Sequence, residues 1–325
     1  MKNQLSHLFC SLLSILSILP QPILSQTPIK PAPEPNKIAI TFDDLPLNGR
    51  QTSVVLQHKM TRRLIHTICA NQIAAVGFVN EAQLFQYGEI DRRVELLKLW
   101  VDAGLELGNH TYSHPSLHDT PVDVFTEDII RGETVTKMLL KPKQLPLRYF
   151  RHPYLRVGQS LETRTQIESF LKHRGYTIAP VTIENSDWMF NALYTPAKLA
   201  GNKQDMKSVS EAYLTYTETM FEYYEKLSQD ILGRQVRHIL LLHANELNAD
   251  YFDELVSLMK KRGYSFISLE EALADPGYLQ TDTYVGKGGI SWLHRWAISK
   301  GLKPGLLGKP EPPADIQKSF DQLGY

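Results

Sequence analysis

The sequence predicts an α/β fold in which about seven parallel strands close into a (β/α) barrel, and three observations carry that reading. Short apolar runs of β-type residues alternate with longer amphipathic stretches. The runs are almost continuously apolar, as strands of a parallel sheet buried on both faces must be. Glycines stand where helices should stop: Gly104, Gly175 and Gly263 each follow a helical stretch. Seven such runs over roughly 240 residues suit a closed barrel better than an open sheet.

Taken in order, Ile38–Phe42 is the first run, followed by a helical stretch over 53–70. Ala74–Val79 precedes a helix over 89–103, and Leu105–Leu107 precedes one over 121–140. Leu147–Phe150 leads to 160–174. Thr177–Ile183 comes before Met189–Gln235, which reads as a helical insertion with its main helix over 205–232. Its tyrosines, Tyr194, Tyr213, Tyr216, Tyr223 and Tyr224, sit at helical spacing and read as packing rather than a sugar platform. His238–Leu242 precedes 249–262, and Ser265–Ser268 is the last run. After Pro276 the chain is rich in glycine and proline. Trp292 and Trp296 share one helix face there, so 290–300 is expected to pack a short helix onto the barrel. No internal repeat is visible.

The first 36 residues are set apart from this pattern. Lys2, the apolar run Leu8–Leu19, the helix breakers Pro20 and Pro22 and the small Ser25 read together as a secretory signal peptide over 1–25. The run is too short to span a bilayer comfortably. The expected location is secreted or periplasmic, with cleavage near Ser25 and no stable membrane insertion afterwards. Residues 26–36 hold Pro28, Pro31, Pro33 and Pro35 and read as an extended linker. The expected domain spans 37–276, with 277–325 as a tail packed on it.

Composition narrows the function. Among 325 residues, 42% are apolar and 22% charged, enough to bury a sizeable core. Lys plus Arg and Asp plus Glu are both 35, so no basic excess points to nucleic acid or to an anionic membrane. Of the two cysteines, Cys10 lies in the signal run and leaves Cys69 alone. A disulfide framework and a cysteine-rich zinc module are excluded. Any metal must be held by histidine and carboxylate.

Polar residues gather at the ends of the predicted strands. Ile38–Phe42 runs into Asp43 and Asp44. Leu105–Leu107 leads to His110, with His114 four residues on. Phe150 is followed by Arg151, the fifth run leads past Glu184 to Asp187 and Trp188, and Leu240–Leu242 ends at His243. In parallel α/β folds the carboxyl ends of the strands form the ligand face. Each residue alone has a plain structural reading. Asp43 and Asp44 suit a turn, and Arg151 suits a surface. His243 suits a core, Asp187 a helix cap and Trp188 simple packing. Pro115 disfavours helical geometry at His114, which places the HxxxH pair in a tight loop. Two neutral imidazoles and one carboxylate form an ordinary zinc ligand set with room for water. Seven polar groups brought to one mouth make the joint reading a catalytic site.

With these motifs in view, the chain resembles the polysaccharide deacetylase family, the NodB-homology carbohydrate esterases of family 4. The resemblance runs through Thr41-Phe42-Asp43-Asp44, His110-Thr111-Tyr112-Ser113-His114, Arg151-His152-Pro153-Tyr154, Glu184 through Asp187-Trp188, and Leu240-Leu241-Leu242-His243. It implies a distorted (β/α) barrel of NodB type and metal-dependent deacetylation of a sugar. It implies Asp44, His110 and His114 as metal ligands, with zinc expected and cobalt or a similar divalent ion as alternatives. Asp43 would be the base, held in position and kept ionised by Arg151. His243 would be the acid, its pKa raised by Asp187. Tyr154 would meet the oxyanion through its backbone N–H, while Trp188 and Leu240 or Leu241 would wall the acetyl pocket. The implied partner is an acetylated glycan of peptidoglycan or chitin type. An O-acetyl esterase on a xylan-like polymer, a deacylase of a non-carbohydrate amide and a non-catalytic sugar-binding protein are the rival readings. Glu184 stands where the family commonly has Asp, and Leu155 where it often has Gly. Both changes alter the groove and remove no reacting group.

Overall fold

The computed structural model describes residues 36–49, 52–303 and 308–324. The expected signal peptide, with Cys10 and Ser25, lies outside the described residues, as does the proline-rich stretch up to residue 35. The fold is that of the unit Pro35–Tyr325.

Its strands are β1 (Asn36–Leu45), β2 (Val76–Val79), β3 (Glu106–Asn109), β4 (Tyr149–Phe150), β5 (Thr177–Ile178), β6 (Ile183–Glu184), β7 (His238–His243) and β8 (Tyr264–Phe266). All pair in parallel, in the order β5-β4-β3-β2-β1-β7-β6. Ile38 pairs with His238 of β7 and with Phe266 of β8, so β8 lies on the edge of β1 opposite β7. Helices α1 (Val54–Ala70), α2 (Ile90–Asp102), α3 (Val122–Arg131), α4 (Thr134–Leu140) and α5 (Leu161–His173) connect the first five strands. The insertion forms α6 (Asp187–Leu199) and α7 (Lys203–Leu232). After β7 come α8 (Glu246–Lys261) and α9 (Leu269–Leu273). The tail carries α10 (Trp292–Ser299) and α11 (Ala314–Asp321).

This sheet must curl. Seven strands laid flat at ~4.8 Å spacing would hold the edges about 29 Å apart. Yet the two edge strands, β5 and β6, are joined by only residues 179–182, a link that reaches at most about 18 Å. The expected strand Thr177–Ile183 is therefore two short strands on opposite edges. Pro180 explains the break, since it has no N–H to continue a ladder. The result is the distorted barrel, with a seam between β5 and β6. The tail closes that seam: Trp292 N–H donates to the Val181 carbonyl at 2.8 Å, and Ser291 Oγ to that of Thr182 at 2.8 Å.

Side chains alternate across the sheet. Ala39, Val76, Phe78, Tyr149, Ala179 and Ile239 fill the inside as one buried cluster. Ile38, Ile40, Phe42, Leu240 and Leu242 belong to the large outer core with the helices. Phe42 meets Trp100 and Phe252 there, edge to face. The predicted helix over 121–140 is interrupted at Gly132 and Glu133. Gly132 lies so close to the loop before His114 that a β-carbon would sit 2.7 Å from the Thr111 carbonyl carbon. The buried carboxylate of Glu81 takes the N–H groups of Val135 and Thr136, at 3.0 and 2.7 Å, which anchors the restart as α4.

Trp296 of the tail is 1% exposed and packs edge to face on Tyr278, ring centres 5.5 Å apart. Trp296→Ala should therefore cost about 3–5 kcal/mol in urea unfolding, the magnitude for emptying a core site. A loss near zero would mean the tail is not part of the core.

Candidate active site

The inner alternation runs straight into the polar residues at the strand ends. On β1 it passes through Ala39 and Thr41 to Asp43, and on β7 through Ile239 and Leu241 to His243, with Asp43 paired to His243 in register. Asp44 would point outward by the same rule. Instead the β1–β2 register shifts between Phe42 and Leu45, and Asp44 takes φ of 62°. The bulge re-aims its side chain into the site.

His110 follows β3. Its Nδ1 lies 2.8 Å from the Arg151 carbonyl, which requires Nδ1 to carry the proton and leaves the Nε2 lone pair facing Asp44. His114, at φ of 60°, sits in the loop that Pro115 demands. Asp128 of α3 grips that loop, accepting from the N–H of Tyr112 at 2.8 Å, the N–H of Ser113 at 2.9 Å and Ser113 Oγ at 2.8 Å. His114 Nε2 and His110 Nε2 lie 3.3 and 3.5 Å from Asp44 Oδ1. Burial pushes both imidazoles down to about 4, so they are neutral at physiological pH. Burial would raise Asp44, but the imidazoles of His114, His243 and His110 and the Asn48 amide, 2.7 Å from Oδ2, hold it below the usual range.

These three groups fit a divalent cation. Asp44 Oδ1 is buried and has no hydrogen-bond partner. It faces His110 Nε2, which carries no proton to share, and His114 Nε2. The three ligand atoms lie within 4.8 Å of one another. One carboxylate and two neutral imidazoles gathered this closely suit Zn²⁺.

Asp43 lies beside this cluster. Arg151, fully buried, donates from Nη1 to its Oδ1 at 3.1 Å, from Nη2 to Thr41 Oγ1 at 3.0 Å and from Nε to the Ala179 carbonyl at 2.8 Å. Burial pushes Asp43 up to about 6 against the pull of Arg151. Arg151 thus positions Asp43 and opposes the rise that burial causes, in the sense expected of it.

On the other side, His243 Nδ1 donates to Asp187 Oδ1 at 2.7 Å, and its Nε2 lies 4.0 Å from Asp44 Oδ2. Asp187 opens α6 and is nearly fully buried. It also accepts from the His243 N–H at 2.8 Å and from the amides of Asn245 and Asn248, at 3.2 and 2.5 Å. Burial works against a charged ring, but Asp187 outweighs it and raises His243 to about 9.

A cavity of about 700 Å³ joins these groups with Tyr154, Trp188 and Leu241. Leu240 is corrected: both leucines border the outer core, but only Leu241 also lines the cavity, while Leu240 is in register with Ile40. The sequence reading missed Asn48, Asp128, Asn245 and Asn248. It also missed Gly289, Lys309 and Phe320, which the tail adds to the cavity wall. Of these only Asn245 left a local signal, as an N-cap residue after a strand end.

Asp128→Asn should keep the fold but loosen the loop carrying His110 and His114. Zinc affinity, measured by competition with a chelating dye, should fall about 10- to 100-fold. Unchanged affinity would show that the loop holds its shape without this carboxylate.

The sequence model of the family described as Polysaccharide deacetylase matches residues 30–173. A peptidoglycan-N-acetylglucosamine deacetylase of Bacillus cereus is 24% identical over 154 residues, covering 47% of this chain and 46% of the relative, so the match spans less than half of the relative's length. Among solved structures, the chitin deacetylase of Colletotrichum lindemuthianum aligns with a TM-score of 0.50 and 21% identity, over 74% of this chain and 88% of that one. A peptidoglycan deacetylase of Bacillus subtilis aligns with a TM-score of 0.45 and 20% identity, over 74% and 93%. The likeness to solved structures bears on the fold alone. Asp187, Trp188 and His243 lie beyond the residues matched by sequence. Asp43, Asp44, His110, His114 and Arg151 lie within them, in the stretch that is similar to the polysaccharide deacetylase family.

Proposed function

We propose that this chain is a metal-dependent deacetylase that hydrolyses N-acetyl groups of a glycan of peptidoglycan or chitin type. One observation carries the reading. Two titratable pairs, Asp43 with Arg151 and His243 with Asp187, meet across the Asp44–His110–His114 cluster with their pKa values pushed in useful directions. The family match and the glycan deacetylase among the relatives support it. On the signal-peptide reading of residues 1–25, the work is done outside the cytoplasm.

A divalent cation held by Asp44, His110 and His114 would polarise the scissile carbonyl and lower the pKa of water. The chain's own residues supply the proton transfers. Asp43, raised to about 6, is basic enough to take the proton of the attacking water and is still ionised at neutral pH. Arg151 fixes its orientation through a charge-assisted bond. His243, protonated up to about 9, gives a proton to the departing nitrogen, which leaves poorly as an anion. Asp187 holds Nδ1, so the proton delivered is that of Nε2, which faces Asp44. The backbone N–H of Tyr154 would meet the developing oxyanion. Leu241, nearly buried, walls the acetyl methyl against water.

Acetate release from peptidoglycan, chito-oligosaccharides and acetylated xylan, with and without added zinc or cobalt, tests the reading. Release from xylan alone would replace it with O-acetyl esterase activity. No release from any of them would overturn it.

The pH profile should be bell-shaped. Activity rises as Asp43 loses its proton, near pH 6 or below it once a cation adds positive charge beside the carboxylate, and falls as His243 loses its proton near pH 9. Asp187→Asn removes the charge that lifts His243, so the alkaline limb should move to lower pH. A limb that stays in place would detach His243 from it.

His243→Ala should slow amide cleavage by about 10²- to 10⁴-fold, the scale of general-acid assistance. An aryl acetate, whose leaving group needs little protonation, should lose far less. Equal losses on both substrates would assign His243 to binding or structure.

A further inference from the structure

The tail reaches the site at three points, and each falls on a motif residue. Gly289 lies against Tyr154 so closely that a β-carbon would sit 1.6 Å from the Tyr154 carbonyl oxygen. Lys309 forms an ion pair with Glu184. That carboxylate also accepts from Tyr224 Oη at 3.0 Å and from the Ser186 N–H at 3.3 Å. Phe320 of α11 meets the Trp188 indole edge to face, ring centres 5.2 Å apart. All six residues line the one cavity.

Beyond Asp44 and His114 the hollow continues into a second one of about 270 Å³, lined by Asn48, Gln83, Tyr112 and Ser113 and by no residue of the tail. The concavity thus has a polar arm made by barrel loops and an aromatic, charged arm walled by the tail. The two hollows share Asp44, Asn48, Gly49 and His114, and together they leave room for more than a single sugar ring. Trp188 remains 41% exposed, with Phe320 against it. An indole held in this way offers an apolar plate for the C–H face of a sugar, and a fixed carboxylate beside it offers an acceptor for hydroxyls.

We propose that Phe320 and Lys309 are positioning residues that hold Trp188 and Glu184 as a subsite for the sugar unit next to the one deacetylated, so that the tail gives the enzyme its preference for glycan chains over single acetamido sugars. This rests on the glycan deacetylase reading. A mere structural prop would affect all substrates alike. A subsite prop should act on KM for long substrates and spare kcat.

Zinc-loaded full-length protein should be assayed on N-acetylglucosamine and on its β-1,4 dimer and tetramer. The tetramer should also be titrated by calorimetry, which does not depend on turnover. Phe320→Ala and Lys309→Met should each raise KM for the tetramer about tenfold, leave kcat within about twofold and flatten the length preference. Phe320→Tyr and Lys309→Arg should restore it. Lys318→Ala, exposed on the same helix, should match the unaltered protein. Lys309 lies outside any helix, so its variant stands if Phe320→Ala unfolds α11. Unchanged KM and affinity in both variants, or equal losses at every length, would overturn the proposal. Binding without turnover in the unaltered protein would defeat the deacetylase reading, while the variants' affinities would still decide this one. No binding of the tetramer by the unaltered protein would defeat both.

Discussion

A strand sends every second side chain to the same face, and Asp43, Arg151 and His243 reach the site because that alternation holds to the strand ends, while Asp44 reaches it through a bulge. Thr41 and Asp43, Leu241 and His243, and Tyr149 and Arg151 are inner pairs of this kind on β1, β7 and the end of β4. The lower member packs below, and the upper member reaches the cluster of titratable groups at the mouth. A slip of one residue on β7 would put Leu242 where His243 now donates to Asp187, and every inner apolar contact would move outward with it. The hydrophobic effect that sets strand register therefore also aims the strand-end polar groups.

Most of the barrel and its mouth was legible because both rest on this local periodicity. The strand runs, their flanking helices and the residues just past the strand ends are patterns of neighbours in sequence. The legible part stopped where long-range contacts decide. Thr177–Ile183 reads as one strand, yet Pro180 and the geometry of closure split it between two edges. The 121–140 stretch reads as one helix, yet Glu81 restarts it as α4. Leu240 and Leu241 look equivalent in a run of leucines until the register with Ile40 and Thr41 separates them. Asp128 and Asn48 carry no motif of their own, and their importance lies wholly in which backbone or carboxylate they touch.

The site is also where the chain tolerates conformations it avoids elsewhere. Of the eight described non-glycine residues with positive φ, six are Asp44, Thr111, His114, Tyr154, Leu155 and Ser186, all in the motif loops around the cavity. Such backbone costs of order 1–3 kcal/mol per residue and persists only where neighbours over-determine it. The neighbours are visible: Asp128 on Tyr112 and Ser113, Asn109 on Thr111 at 2.7 Å, and the hydrogen bonds that converge on Asp187. Burial adds a second kind of stress by separating the proton affinities. Two imidazoles are driven toward neutrality and a third is held charged, though all three lie within a few ångströms of Asp44.

The seam has a consequence for the order in which the molecule is completed. The carbonyls of Val181 and Thr182 find their donors in Trp292 and Ser291, more than a hundred residues later in the chain. A ribosome releases the chain from its N-terminus, so the strands on both sides of the gap are present long before the segment that seals it. Until residue 292 is free, the barrel holds bare backbone acceptors beside the site. The walls contributed by Lys309 and Phe320 come later still. Closure of the barrel is thus tied to the tail, and a polypeptide caught midway through synthesis carries the strand-end polar groups without the closed barrel that aligns them.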